Sequence, residues 1–344
     1  MLSLTRLIQG AAAATLLATT TLSAQAAGEV NVYTTREPGL IQPLLDNFSK
    51  ESGIKANVIF VKEGLAERVA TEGANSPADL LSVVDFGNLI ELADRGLTQP
   101  VQSAVLEEAI PANLRDADGQ WYGLSMRARV IYASKDRVQD ETLTYEDLAD
   151  PRFKGKVCIR SGQHPYNTSL IAAVIAKDGP DAAKGWLTGV KDNLARKAGG
   201  GDRDVARDIL ANLCDVGVAN SYYVGLMRSG KGGPEQVEWG NAIRVILPTF
   251  KDKAGTHVNV SGAAVAKNAP NKENAVKLLE YLVSPAAQEI YAKANFEYPV
   301  RAGVAPDPII AELGTLTVDP TPLTDVAKQR KQASELVDVV GFDG

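Results

Sequence analysis

The sequence predicts an α/β fold with two lobes, and three observations support this prediction. Short runs with the alternation typical of strands recur along the chain. Amphipathic helical patterns lie between them, which favours helices that flank mostly parallel sheets. With 344 residues, of which 45% are hydrophobic, the chain is long enough to form two packed lobes that share a ligand cleft.

Strands and helices are predicted in alternation along most of the chain. Residues 29–34 (EVNVYT) alternate like a strand, and apolar residues of 274–283 recur at helical spacing. The other predicted strands are 56–61, 79–84, 129–134, 156–159, 215–220 and 243–247. The predicted helices are 40–52, 65–72, 168–178, 181–194, 203–213, 272–283, 285–294 and a last one near 324–337.

The N-terminus has the pattern of a secretion signal peptide, which we assign to residues 1–26. Arg6 precedes an apolar stretch over residues 7–22, and Ala24-Gln25-Ala26 places small residues at the first and third positions before a cleavage site. No later apolar run reaches the roughly 18 residues of a membrane span. We therefore expect a mature chain that begins at residue 27, lies in an oxidising compartment and has no membrane span.

The two cysteines, Cys158 and Cys214, are expected to form a disulfide in such a compartment. In the chain-entropy model, closing a loop of about 57 residues stabilises a fold by roughly 4 kcal/mol. A catalytic or metal-bound thiol pair is the alternative, but neither cysteine lies in a CxxC motif.

Composition argues against two functional classes. The net charge is −6 and no basic stripe is present, so we do not expect nucleic-acid binding. His164 and His257 are the only histidines, and no GxSxG or HExxH motif occurs. We therefore do not expect the protein to be an enzyme.

Three tyrosines follow predicted strands. Tyr166 comes after 156–159, and Tyr222 and Tyr223 come after 215–220, where parallel strands deliver side chains to a ligand. A phenol has a pKa near 10, but a hard trivalent cation displaces the proton and gains a phenolate ligand. On the residues alone, two possibilities remain: a ferric site, or a tyrosine pair that packs at the sheet end with its hydroxyls in solvent.

Five segments carry a resemblance to a known family. They are ANSYYVGLM (219–227), VCIRSGQHPYNTSL (157–170), YGLSMRARVIYAS (122–134), GTHVNVSGAAVAKNAPNKENAVKLLEYLVSPAAQ (255–288) and NFEYPV (295–300). With the leader, they resemble the periplasmic ferric-iron-binding proteins, the substrate-binding components of bacterial iron ABC importers. The resemblance covers essentially the whole mature chain. It implies the two-lobed periplasmic binding protein fold, with mixed sheets flanked by helices and a ligand cleft between the lobes.

The resemblance also implies a function. Tyr166, Tyr222 and Tyr223 would bind Fe³⁺ in the periplasm, and a monomer would deliver the iron to an inner-membrane ABC permease. The rival expectation within the same fold is a binding protein for an organic anion or a polyamine, in which the tyrosines form an aromatic cage without metal.

The N-terminal half departs from the family pattern at residues 35–39 (TREPG), where many relatives have an Arg-His-Tyr-Asn-like segment with two further iron ligands. Two outcomes follow. Glu37 supplies a carboxylate oxygen, or an anion such as carbonate completes the coordination. Arg36 and Arg127 favour the second outcome, since guanidinium groups bind planar oxyanions at two points. Arg129 is the other candidate, but the position of Arg127 in the family pattern favours Arg127.

The lobes are expected to be discontinuous, with strands crossing between them near residues 127–130 and 256–260. His257 lies on the second crossing and is expected to form hydrogen bonds at the hinge, while the resemblance assigns no ligand role to His164. The predicted lobes are 27–128 plus 256–303 (N-terminal) and 129–255 plus 304–344 (C-terminal).

Overall fold

The computed structural model describes residues 28–344, so the predicted signal peptide at 1–26 lies outside the described residues. The strands are β1 (Glu29–Thr34), β2 (Lys55–Phe60), β3 (Leu80–Val83), β4 (Tyr122–Ser134), β5 (Val157–Cys158), β6 (Val216–Asn220), β7 (Ile243–Ile246), β8 (Val258–Val265) and β9 (Tyr298–Pro299). Within that part of the chain they join in one mixed sheet, in the order β2-β1-β3-β8-β4-β6-β5, with β7 and β9 also paired to β4.

Helices cover the sheet. They are α1 (Pro38–Ser52), α2 (Leu65–Glu72), α3 (Phe86–Asp94), α4 (Ala104–Ala109), α5 (Pro165–Asp178), α6 (Pro180–Asp192), α7 (Asp202–Leu210), α8 (Tyr222–Arg228), α9 (Pro234–Ala242), α10 (Lys272–Leu282), α11 (Pro285–Asn295), α12 (Pro308–Ala311), α13 (Leu323–Lys328) and α14 (Arg330–Val340). Single 3₁₀ turns lie at Gly73–Asn75, Ala112–Leu114, Glu146–Ala149 and Pro151–Phe153. Among residues 28–344, no helix is long and apolar enough to cross a membrane.

The sheet is mixed, as the family resemblance implies, and the expectation of mostly parallel pairing is wrong. β1 pairs in parallel with β2 and β3, and β5 pairs in parallel with β6. The pairings β3–β8, β4–β8, β4–β6, β4–β7 and β4–β9 are antiparallel. Alternation of helices and strands along a chain does not specify which strands become neighbours, and here β4 and β8 pair across a long stretch of sequence.

Strand β4 joins the two ends of the sheet. All 13 of its residues are buried. Over residues 122–128 it pairs with β8, and from Arg129 onward it pairs with β6. The backbone N–H of Arg129 donates to the carbonyl of His257 at 2.9 Å, where the change of partner occurs. The lobe boundaries stay a prediction, but β4 and β8 run at the positions where crossing strands are expected.

Most predicted elements are present, with differences at their ends. β4 starts at Tyr122, seven residues before the predicted strand, and the last predicted helix is divided into α13 and α14 around Gln329. Helices α3, α4, α8, α9 and α12 were not expected from the sequence. The most important of these is α8, because it begins at Tyr222 and so places the tyrosine pair in the first turn of a helix.

The predicted disulfide is present. Cys158, at the end of β5, is bonded to Cys214, and their Cα atoms are 5.9 Å apart. Cys214 lies just before β6, which is the parallel neighbour of β5. The bond therefore ties together the two strands whose following helices carry the tyrosines.

Candidate metal centre

The structure brings the three tyrosines together. Tyr166 lies in the first turn of α5 and Tyr222 and Tyr223 begin α8. The preceding strands β5 and β6 are parallel neighbours, so both helices start at the same edge of the sheet. The hydroxyl oxygens of Tyr166 and Tyr222 are 3.5 Å apart, and the ring centroids of Tyr222 and Tyr223 are 4.0 Å apart.

Burial strengthens the hold of Tyr222 and Tyr223 on their phenol protons. It raises the pKa of Tyr222 well above its ordinary value, and the neighbouring phenols Tyr223 and Tyr166 raise that pKa further. Burial, followed by the charge of Tyr166, also raises the pKa of Tyr223. A cation must therefore displace these protons before phenolate oxygens can bind it, and a highly charged cation does this most effectively.

Positive charges surround the ring of Tyr166. Three guanidinium groups lie within about 6 Å of its centroid, the range of cation–π contact: Arg160 at 5.2 Å, Arg129 at 5.9 Å and Arg127 at 6.0 Å. Arg129 and Arg160 also share the buried carboxylate of Asp202, at 2.6 and 3.3 Å. Arg129 is thus engaged with Asp202 behind the tyrosines, which separates it from the cavity that Arg127 lines.

Arg36 and Arg127, the two residues predicted to bind an anion, lie side by side. Both side chains are 4% exposed. Nη2 of Arg36 and Nη1 of Arg127 donate to the same acceptor, Oγ of Ser261, at 2.5 and 2.9 Å. Nη2 of Arg127 also donates to Oδ1 of Asn259 at 3.1 Å. Two residues of the crossing strand β8 therefore hold the guanidinium groups.

A buried carboxylate that the sequence analysis missed completes this cluster. Nη2 of Arg36 donates to both carboxylate oxygens of Glu297, at 3.1 and 3.0 Å, and Oγ of Ser125 donates to Oε2. Burial by itself would raise the pKa of Glu297, but the charges of Arg36 and Arg127 outweigh it and hold that pKa below its ordinary value. The available signal was a lone acidic residue in an otherwise apolar and aromatic run, FEYPV.

Glu37 lies at the rim of the site. It is exposed and precedes helix α1, but its side chain makes no capping hydrogen bond. It lines the same cavity as Tyr166, Tyr222 and the guanidinium groups of Arg36 and Arg127, whereas Tyr223 is not among the lining residues. Its carboxylate is therefore accessible, unlike the buried carboxylate of Glu297.

One cavity connects these groups. It has a volume of about 300 Å³, and the polar residues that line it are Thr35, Arg36, Glu37, Arg127, Tyr166, Tyr222, Asn295 and Glu297. This volume is at the lower end for small-molecule sites. Two other cavities, of about 330 and 590 Å³, contain none of the three tyrosines. In the cavity at the tyrosines, the phenol groups of Tyr166 and Tyr222 and the guanidinium groups of Arg36 and Arg127 line the same space.

Both histidines are engaged elsewhere. His164 caps α5, with Nδ1 accepting from the backbone N–H of Tyr166 at 3.2 Å, and Nε2 of His257 is 2.8 Å from Oγ of Ser169. Burial lowers the pKa of each imidazole to about 4. Over residues 28–344, no group of three or more His, Cys, Asp or Glu residues could hold a metal ion.

The chain is similar to known solute-binding and ferric-binding proteins. The family model for bacterial extracellular solute-binding proteins matches residues 75–311. The chain is 63% identical to a Bordetella ferric binding protein structure, with a TM-score of 0.89, covering 92% of this chain and 100% of that one. It is 42% identical to a Trichodesmium protein solved in complex with iron and citrate, with a TM-score of 0.88, covering 92% and 100%. It is also 40% identical over 316 residues to iron uptake protein A1 of Synechocystis sp., covering 91% of this chain and 87% of that protein.

Proposed function

Since this chain belongs to the family of bacterial extracellular solute-binding proteins, we propose that it captures Fe³⁺ through the phenolate oxygens of Tyr166, Tyr222 and Tyr223. The observation that carries the proposal is the convergence of three phenols on one edge of the sheet, with two hydroxyls 3.5 Å apart. A Bordetella relative that is 63% identical is a ferric binding protein, which supports the same cargo here.

The chemistry of the donors favours a ferric ion. Phenolate is a hard, anionic oxygen donor, and such donors suit a small trivalent cation better than Zn²⁺ or Cu⁺, which prefer imidazole or thiolate. Three phenolates balance the charge of Fe³⁺. The raised pKa values of Tyr222 and Tyr223 mean that iron binding releases protons, so we expect capture to weaken as the pH falls.

A small anion is proposed to complete the coordination. Arg36 and Arg127 line the cavity beside Tyr166 and Tyr222, and guanidinium groups bind oxyanions at two points. Carbonate and an organic carboxylate both fit this description, and a Trichodesmium relative holds iron together with citrate. Glu37 remains the alternative donor, because its exposed carboxylate lines the same cavity.

Delivery is proposed to follow closure of two lobes. The N-terminal lobe would be 27–128 plus 256–303 and the C-terminal lobe 129–255 plus 304–344, with β4 and β8 as the crossing strands. The tyrosines belong to the second lobe, and Arg36 and Arg127 to the first. Closure would bring them onto one iron centre, and a membrane permease of the ABC class would recognise the closed periplasmic monomer. No catalytic step is part of this function.

The rival function is binding of an organic anion without metal. The paired guanidinium groups and the cavity of about 300 Å³ are compatible with such a ligand. A polyamine is disfavoured, because Arg36 and Arg127 would place positive charge against a cationic ligand.

The visible spectrum of the purified protein tests the iron site. We expect ferric citrate to produce a red-orange phenolate-to-iron charge-transfer band in the wild type, which weakens or shifts in Tyr166→Phe and in Tyr223→Phe. Tyr281→Phe is the matched control, because Tyr281 lies on α10 and accepts from Asn47, away from the cavity. A wild type without any band would refute the metal site and favour the organic-anion alternative.

A further inference from the structure

Glu297 is a buried carboxylate between the two arginines that line the cavity. It accepts two hydrogen bonds from Arg36, and Nη1 of Arg127 lies 3.8 Å from it. Ser125 on β4 donates to it as well. Its side chain is 5% exposed, so its contacts with protein groups are in place before any ligand arrives.

These contacts orient Arg36. The hydrogen bonds of its guanidinium group to the described residues are all made through Nη2, to Ser261 and to Glu297. Nε and Nη1 are left as donors on a side chain that lines the cavity. Nη2 belongs to both two-donor edges of the guanidinium group, so Nε and Nη1 are available to a ligand only as separate donors. Glu297 therefore holds Arg36 by Nη2 and leaves two single donor positions for a ligand.

Glu297 also reduces the charge of the anion site. Arg36 and Arg127 carry two positive charges, and the ionised carboxylate cancels one of them. Because charges a few ångströms apart interact strongly at the effective dielectric constant of a protein, one extra charge changes the affinity for an anion by on the order of tenfold or more per unit of anion charge. Arg36, Arg127 and Glu297 together therefore carry a net charge of about +1, whereas the two arginines alone would carry +2.

We propose that Glu297 is a positioning residue that also limits the charge of the anion accepted with iron, favouring singly over multiply charged oxyanions relative to a site without it. The inference rests on the proposed function, since it concerns the anion at the same iron centre. It assigns to Glu297 a role in anion selectivity, with no direct contact to iron.

Two matched anions provide the test. Glycolate and oxalate are two-carbon oxyanions that can each bind iron through two oxygens, but the first carries one negative charge and the second carries two. For each, the concentration that gives half of the iron charge-transfer band is measured in the wild type and in Glu297→Gln. We expect the preference for oxalate over glycolate to rise at least tenfold in Glu297→Gln.

Two further variants separate charge from position. Glu297→Asp keeps the charge but shortens the reach to Arg36, so we expect both anions to bind more weakly with their ratio unchanged.

The double variant Glu297→Gln/Arg36→Gln removes both members of the buried pair, which proteins tolerate better than removal of one. It restores a net charge of one, and we expect the ratio to return to the wild-type value. If Glu297→Gln fails to fold, Arg36→Gln tests the charge argument in the opposite direction, because it lowers the net charge of the cluster from one to zero and should lower the preference for oxalate over glycolate.

Glu146→Gln is the control for loss of a carboxylate, because Glu146 is partly buried and does not line the cavity. Unchanged anion ratios in Glu297→Gln, or the same shift in Glu146→Gln, would overturn the inference. A double variant whose ratio stays away from the wild-type value would overturn it too. A wild type that forms no band with either anion, or with ferric citrate, would instead refute the proposed function, so the two failures are distinguishable.

Discussion

Single residues of the site are held in charge states that their contacts determine. Tyr222 holds its proton more firmly than a free phenol, because burial and two neighbouring phenols raise its pKa. Glu297 is ionised because two guanidinium groups lie against it, although burial opposes this. The half-buried phenol of Tyr222 and the buried carboxylate of Glu297 thus line the same cavity in different charge states, and of these two groups only the phenol has a proton to exchange for a cation.

The buried imidazole of His257 makes the free energy of unfolding depend on pH. Burial lowers its pKa to about 4, against an ordinary value near 6.5. Between these pH values the unfolded chain binds more protons than the folded one, so the free energy of unfolding falls as the pH drops from about 6.5 to 4 and is fully retained above 6.5. The total contribution of this one group is up to roughly 3 kcal/mol.

We therefore expect the wild type to lose more stability than His257→Gln between pH 7 and pH 4.5, as measured by urea unfolding at each pH. Comparison of pH 7 with pH 8 provides the control, because the pH dependence should be the same for both proteins there. If the two unfolding free energies fall in parallel from pH 7 to 4.5, His257 is not the buried neutral group described above.

At the scale of elements, helix α8 determines how closely the tyrosine pair approaches the rest of the site. Gly225 lies one turn after the start of α8, and a Cβ atom placed there would be 2.2 Å from Cγ of Phe296. Phe296 directly precedes Glu297 in the chain. The absence of a side chain at Gly225 thus permits the contact between the helix that begins with the tyrosines and the segment that carries the buried carboxylate.

We expect Gly225→Ala to separate α8 from Phe296, to lower the free energy of unfolding by about 1–3 kcal/mol as overpacking commonly does, and to weaken iron binding. Gly185→Ala is the matched control. Gly185 is an exposed residue of helix α6, and no atom lies within 4 Å of its added Cβ, so alanine should raise stability by about 0.5–1 kcal/mol. Thermal melts and ferric titrations check both, and a Gly225→Ala protein that matches the wild type would contradict the packing argument.

At the scale of the whole molecule, β4 makes the two predicted lobes interdependent. Its first half pairs with β8 and its second half with β6 and β7. An ion pair adds a contact between the lobes, since Nη1 of Arg330 lies 2.9 Å from Oδ1 of Asp85. Asp85 in turn accepts from Asn259 at 2.7 Å, the residue that also accepts from Arg127. The anion-site arginine and the ion pair are therefore joined by one chain of hydrogen bonds.

A cut at residue 128 should therefore prevent folding. It divides β4 between two fragments and removes from 129–255 the helices α13 and α14, which pack on α5. We expect the isolated fragment 129–255 to lack a cooperative thermal transition and to bind no iron. Circular dichroism and the iron charge-transfer band measure this, and a stable, iron-binding fragment would contradict the predicted division of the lobes.

The limits of the sequence are visible in α8 and in the mixed sheet. The run that forms α8 has two tyrosines and a glycine, which are modest helix formers, and a seven-residue helix is not stable alone. Packing against α9 and Phe296 stabilises it, and such packing cannot be inferred from local pattern. The strand partners of β4 likewise come from segments far along the chain. Because local alternation carries no information about these partners, the prediction of mostly parallel pairing was wrong.

The sequence by itself determined the α/β class, the disulfide between Cys158 and Cys214, and the residues to examine, because strand periodicity, cysteine number and tyrosines after strands are local properties. Only the tertiary structure decided that Glu297, Ser261 and Asn259 hold the two arginines. These residues come from crossing segments more than 130 positions after Arg127, and the requirement that buried charges be paired becomes visible only once the chain has brought them together.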